Sequence, residues 1–156
     1  MVGREHLYEA TLTWTGADAG PTLDYKSYSR DYRVEFAGKP ALVGSADPTY
    51  LGDARLHNPE ELLLAALSAC HMLSYLALCA KAKIAVTSYR DQASGTMAIQ
   101  DGKMRFVAVR LRPHVVIGDL AQIGRAKGLH SEAHAGCFIA NSVNFPVTND
   151  PAVTAA

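Results

Sequence analysis

Three cysteines, Cys70, Cys79 and Cys137, are the residues of this 156-residue chain best suited to covalent chemistry. A thiolate is a nucleophile and a metal ligand, whereas a thiol buried among apolar groups is an inert small hydrophobe. Cys70 and Cys79 lie nine residues apart in one apolar run. At 100° per residue they fall on opposite helix faces, about 13 Å apart along the axis, so they cannot share a site within one subunit. The face of Cys70 carries Leu63, Ala66, Leu67, Leu73, Ser74 and Ala77, a lipophilic surface with small side chains. Cys79 reads as core packing. For Cys70 and Cys137, spacing leaves packing and reactivity both open, because nothing in it brings the two together.

His130, His134 and Cys137 are spaced i, i+4 and i+7, and on an unbroken helix they would present three zinc ligands on one face. Gly128 and Gly136 interrupt that stretch, and no carboxylate or fourth cysteine is obvious on that face. A polar cluster at a helix end is the competing reading. His71 abuts Cys70 but points about 100° away around a helix, and a hydrogen bond at a subunit interface is expected for it. Tyr25, Tyr28 and Tyr32 read as strand and loop packing, since no basic groove accompanies them.

The elements that must position these residues divide into strands and two helices. Tyr8–Trp14 alternates and is rich in strand formers. Gly16–Pro21 is a turn, and Leu23–Phe36 reads as one long or two shorter strands. Gly38–His57, with three glycines and two prolines, reads as a loop, and a loop that long in a compact domain usually serves function. Asn58-Pro59-Glu60-Glu61 is a helix start: Asn58 caps, Pro59 takes the first helical position and Glu61 closes an Asn-x-x-Glu box. The helix runs to about Lys83 and is apolar around nearly its whole circumference, which predicts burial on all sides. Ile84–Ile99 and Met104–Ile117 form a hairpin about Gly102. Asp119 opens a second helix to about Ala135, Val143–Val147 is the last strand, and the Ala-rich tail frays. The sum is a single α+β domain over residues 1–156. One subunit has little with which to cover the far side of the apolar helix, so a homodimer is expected.

Fifteen basic and fifteen acidic side chains cancel. That balance disfavours a dedicated nucleic-acid binder. The apolar run Leu62–Ala80 is broken by Ser68, His71 and Ser74, so no membrane span is expected. The first residues lack an apolar signal core, and three cysteines are too few and too odd for a disulfide scaffold. A cytoplasmic protein with reduced thiols is the resulting expectation.

Asn58-Pro59-Glu60-Glu61-Leu62, followed by Ser68-Ala69-Cys70 and far downstream by Ala133-His134-Ala135-Gly136-Cys137, resembles the OsmC/Ohr family of thiol-dependent peroxidases. The resemblance extends from about Tyr8 to Val147. It implies an intertwined α+β homodimer of OsmC-like fold, with antiparallel sheets around a long buried helix. It implies reduction of alkyl or fatty-acid hydroperoxides, and regeneration by a dithiol carried on a lipoylated protein. Cys70 matches the peroxidatic cysteine, Cys137 the resolving one, and Glu60 the carboxylate that holds an arginine. That arginine matches Arg30 in Tyr28-Ser-Arg-Asp31, with Arg55 as competitor. No cofactor and no resident metal are implied. Phe138 stands where the family usually carries proline after the second cysteine, and the Gly38–His57 loop is long, which places the chain on a divergent branch. The alternative is a non-catalytic dimer of the same fold, binding a small apolar ligand or zinc through His130, His134 and Cys137.

In the chemistry so implied, a thiolate cleaves the O–O bond and an arginine, cationic even when desolvated, supports it. A glutamate orients that arginine and offsets its buried charge. The sulfenic acid on Cys70 then condenses with Cys137. Ten residues put Glu60 about 15 Å from Cys70 along a continuous helix. Glu60 is therefore expected to serve the thiol of the partner subunit.

Overall fold

The computed structural model describes residues 5–156 and divides into two units, Met1–Leu62 and Leu63–Ala156. In the first, β1 (Thr11–Trp14), β2 (Tyr32–Glu35) and β3 (Leu42–Gly44) make an antiparallel sheet in that order. Thr13 pairs with Arg33, and Arg33 with Val43. Two expectations are corrected here. The segment from Leu23 is not strand until Tyr32, because Asp24 folds it into a turn: its side chain accepts the Lys26 N–H at 2.8 Å and its carbonyl the Ser27 N–H. The Gly38–His57 segment is not all loop but contains β3 and a helical turn at Pro48–Tyr50, whose first N–H groups Asp47 caps. Gly52 is required there, since a Cβ would lie 1.6 Å from the Ala46 carbonyl oxygen.

Helix α1 (Pro59–Lys81) begins as its sequence dictates. The Asn58 side-chain oxygen accepts the Glu61 N–H at 2.8 Å, and the Glu61 carboxylate accepts the Asn58 N–H at 3.4 Å, a reciprocal capping box. It ends two residues before Lys83, which adopts a left-handed conformation at φ 58°. Ile84 N–H then bonds the Cys79 carbonyl and Lys83 N–H the Ala80 carbonyl, the paired closure of a Schellman motif, with Lys in the place glycine usually takes.

In the second unit the predicted hairpin forms on Asp101-Gly102, both at positive φ, as a tight two-residue turn demands. Its arms are longer than one sheet. β5 (Ser94–Gln100) pairs with β6 (Lys103–Leu111), while β4 (Val86–Asp91) pairs with β7 (Pro113–Ile117) in a second sheet. The two ladders part at Arg112, the single residue between β6 and β7. Helix α2 (Ile123–Ala135) follows a turn capped by Asp119. The strand expected at Val143–Val147 lies later: β8 (Val147–Asn149) runs parallel to β6. The tail does not fray, because β9 (Ala152–Ala155) pairs in parallel with β7 and Ala156 N–H still bonds Ile117.

Within one chain α1 is not buried on all sides. Its buried residues are Leu67, His71, Tyr75 and Cys79, spaced by four on a single face. That face meets Val109 and Leu111 at one end, and Val115, Ile117, Ala126, Leu129 and Ala133 at the other. The opposite face is uncovered, with Leu73 62% exposed. By length and composition alone α1 is long and apolar enough to cross a membrane, Ser68, His71 and Ser74 notwithstanding. The α+β fold itself is as expected.

Candidate functional site

The structure brings Cys70 and Cys137 together. Cys70 sits midway along α1, half-buried, and Cys137 follows the end of α2, 1% exposed. The return of the chain there is fixed by local bonds. Gly136 and Cys137 N–H groups bond the Glu132 and His134 carbonyls, and the Cys137 carbonyl accepts the Asn141 N–H at 3.0 Å. The Asn141 side chain bonds the Ala135 carbonyl. The Cys137 thiol is within hydrogen-bonding reach of Cys70 and also receives the Ile139 and Ala140 N–H groups. Burial, reinforced by the neighbouring Cys70, pushes the Cys137 thiol up, against the pull of those two N–H groups. Cys137 is thus held as a thiol at neutral pH, a proton donor within reach of Cys70. Phe138, at the position of the expected proline, is 81% exposed and takes no part in this packing.

Arg30 and Glu60 both line an open, largely apolar groove of about 820 Å³ in the first unit, with Leu12, Trp14, Val34 and Tyr50 among its walls. Arg30 is held by its own loop. Its guanidinium donates to the Tyr25 and Tyr28 carbonyls and lies 3.9 Å from the centre of the Tyr28 ring, a cation–π contact. Trp14 buttresses the same loop, its indole N–H bonding the Ser29 carbonyl at 2.8 Å. Tyr25 and Tyr28 therefore pack as loop residues. Among the described residues Arg30 and Glu60 form no ion pair. Burial and the nearby Glu60 carboxylate together raise Tyr32.

Arg55 is engaged elsewhere. Its guanidinium clasps Asp53 through two nitrogens at 3.0 and 2.6 Å, and this contact holds the Asp53 carboxyl down to about 2. The Arg55 side chain is 87% exposed and does not line the groove.

The zinc alternative fails on geometry. His130 faces His71 and Cys137 faces Cys70, so the i, i+4, i+7 set does not converge. Among the described residues no three His, Cys, Asp or Glu side chains gather at metal-binding spacing. The helix that would align them ends at Ala135, before Cys137. Cys79 lies in the core beside Tyr75, as expected of a packing residue.

One feature of this region was not anticipated from sequence. His71 and His130 are fully buried, with His71 Nε2 3.0 Å from His130 Nδ1. The His130 ring stacks on Tyr75 at 3.8 Å. Expected at a subunit interface, the hydrogen bond of His71 is made inside the chain. The available signal was the repeat Leu67, His71, Tyr75, Cys79, which puts the histidine on the most buried face. Burial lowers both histidines, His130 to about 4, and each lowers further through a neighbouring imidazole, His134 for His71 and His71 for His130.

The family profile described as OsmC-like protein matches residues 52–150. A solved OsmC-like protein of unknown function from Vibrio cholerae is 35% identical, with 95% of this chain and 100% of that one covered at a TM-score of 0.87. An organic hydroperoxide resistance protein from Elizabethkingia anophelis is 21% identical, with 98% and 100% covered at 0.65. One from Legionella pneumophila, described as an organic hydroperoxide resistance protein and predicted redox protein, is 20% identical, with 97% and 99% covered at 0.63. No curated protein matches the chain. A profile that takes in the helix start, Cys70 and Cys137, and a 35% identical relative of the same fold, settle the matter at one level: the chain belongs to the OsmC-like family.

Proposed function

We propose that the protein is a thiol-dependent peroxidase for organic hydroperoxides, with Cys70 as peroxidatic and Cys137 as resolving cysteine. The observation that carries this reading is the juxtaposition of the two thiols, one accessible and one buried. The Cys70 thiolate attacks one peroxide oxygen, the O–O bond breaks, and the departing alkoxide takes a proton to leave as the alcohol. Sulfenic acid on Cys70 then condenses with the Cys137 thiol, releasing water and forming a disulfide before over-oxidation can proceed. An external dithiol reduces that disulfide by exchange.

Glu60 and Arg30, which line one groove, serve one site in this reading: the guanidinium, held by its own loop, stabilises thiolate and peroxide, and the carboxylate offsets its charge. Helix α1 is continuous from Pro59 to Lys81, so the rise of about 15 Å between Glu60 and Cys70 stands. A homodimer in which Glu60 and Arg30 serve the thiol of the partner subunit meets that constraint, and it would cover the exposed face of α1. Mixing inactive Cys70→Ser and Arg30→Met proteins tests it. Random exchange then gives one live site in each mixed dimer, about a quarter of wild-type activity. Sites confined to one subunit would give none.

The direct test is consumption of an alkyl hydroperoxide with a dithiol reductant, together with mass spectrometry after one equivalent of peroxide. A Cys70–Cys137 crosslink is expected. Wild-type protein inert to every organic hydroperoxide would remove the proposal. A second reading, binding of a small apolar ligand, draws on the open groove. It predicts ligand affinity that survives in Cys70→Ser.

A further inference from the structure

We infer that the buried His71–His130 contact is the pin that holds Cys70 and Cys137 at bonding reach, making these histidines positioning residues for disulfide closure. The inference rests on the cysteine pair of the proposed function and adds to it a device for bringing the sulfurs together.

The connection is short on both sides. His71 follows Cys70 directly on α1, and His130 lies on the last turns of α2, seven residues before Cys137. The backbone from His130 to Cys137 is tied by the bonds at Gly136 and Cys137. Helix α1 therefore meets α2 and the turn that follows it through two side-chain contacts, one between free thiols and one between imidazoles. The imidazole bridge is rigid: two rings within 13° of coplanar joined at 3.0 Å, with Tyr75 stacked beneath at 3.8 Å. A fixed approach of two elements raises the effective concentration of groups they carry, and 1 Å of misplacement is costly in such a pair.

The bridge also depends on protonation. In the neutral pair, one proton lies on the Nε2–Nδ1 line, whichever ring donates it, and the other on the outer nitrogen of the accepting ring. The outer nitrogens, His71 Nδ1 and His130 Nε2, are buried without a partner. A further proton would put a second N–H donor into the interior with nothing to accept it, and a doubly protonated pair would present donor to donor and break the bridge. The groups that face the pair are His134 from α2, Asp91 from β4 and Tyr75 from α1 itself, with Tyr89 of β4 packed behind Tyr75. Only Asp91 favours the charged form, and it is occupied with the Ser68 hydroxyl and the Arg112 N–H, both at 2.6 Å.

The test is the equilibrium between the protein dithiol and its disulfide in a buffer of reduced and oxidised dithiothreitol, without peroxide, approached from both directions at pH 4.0 to 7.5. Two hydrogens pass from the cysteines to the oxidised reagent as the protein disulfide forms. Below the thiol range this equilibrium has no pH dependence of its own. Wild type is expected to favour the disulfide less at pH 4 than at pH 7. His71→Leu and His130→Leu are expected to lower the equilibrium constant at least tenfold at pH 7. The double variant His71→Gln, His130→Asn, which keeps polar atoms at the two bonded positions and cannot titrate, should retain the constant at pH 7 and lose the acid decline.

Leucine variants that remain folded with an unchanged constant would overturn the inference. So would an acid decline that persists in the Gln/Asn variant, which also decides the matter if the leucine variants fail to fold. Wild type that forms the disulfide with this histidine dependence yet consumes no hydroperoxide would remove the peroxidase reading alone. Full peroxidase turnover with no histidine dependence would remove this inference alone.

Discussion

The thiol pair and the histidine pair join the same two stretches of chain, one residue apart on α1, yet they differ in almost every physical respect. Cys70 is half-buried on the edge of the helix face, while His71 has no exposed surface. A reactive group must admit a substrate and release a product, so part of it must face outward. A group that fixes geometry works best where water cannot compete for its hydrogen bond. The 100° step between consecutive helical residues delivers both environments from adjacent positions. The comparison also separates their response to pH: burial raises the Cys137 thiol and lowers the two imidazoles, in each case favouring the uncharged form.

The largest expected effect falls on the thiol side. Cys70→Ser should reduce hydroperoxide consumption by about a thousandfold or more, measured by loss of peroxide with a dithiol in excess, while the histidine bridge and the fold persist. Residual turnover near wild type would place the chemistry elsewhere. Cys137→Ser should keep the first oxidation of Cys70 but lose the disulfide, so that repeated peroxide addition drives Cys70 to sulfinic and sulfonic acid. Mass spectrometry reads this directly. A variant that cycles as the wild type does would show that Cys137 does not resolve.

On the histidine side the effect is one of stability. Above about pH 6.5 His130 is neutral folded or unfolded. As the pH falls towards 4 the unfolded chain takes up a proton that the folded one refuses, so stability drops with falling pH. The span from 6.5 to about 4 corresponds to about 3 kcal/mol at most, with His71 contributing in the same direction. Urea unfolding from pH 7 to pH 4 should record this slope, and His130→Asn should flatten it. An equal slope in the variant would assign it to other groups.

The smallest effect belongs to the arginine that lies outside the groove. Arg55→Ala breaks an exposed ion pair and should cost less than about 1 kcal/mol, with peroxidase activity unchanged. Arg30→Met should lower activity about a hundredfold or more. Reversal of that order, in a direct activity assay, would exchange the roles given to the two arginines.

Much of this fold was legible in sequence because it is encoded locally. The Asn58–Glu61 box, the Asp101-Gly102 turn and the Asp119 cap each involve a handful of consecutive residues and formed where expected. The errors fell on partners distant along the chain. Val147–Asn149 and Ala152–Ala155 are strands only because β6 and β7 offer free edges in parallel, and an Ala-rich tail carries no such signal. Tyr25 and Tyr28 looked like strand residues, yet the Asp24 turn and the Arg30 guanidinium claim them for a loop.

The candidate site divides along the same line. Residue types, the helix start and the ten-residue interval from Glu60 to Cys70 were fixed by sequence alone, since a helix converts spacing into distance. That Cys70 meets Cys137, that His130 turns to His71 and away from Cys137, and that Arg55 is taken up by Asp53 were decided by tertiary packing. Those contacts depend on where two helices and a loop settle after burying their apolar faces. The spacing of 67 residues between two cysteines holds no information about that until the core has closed.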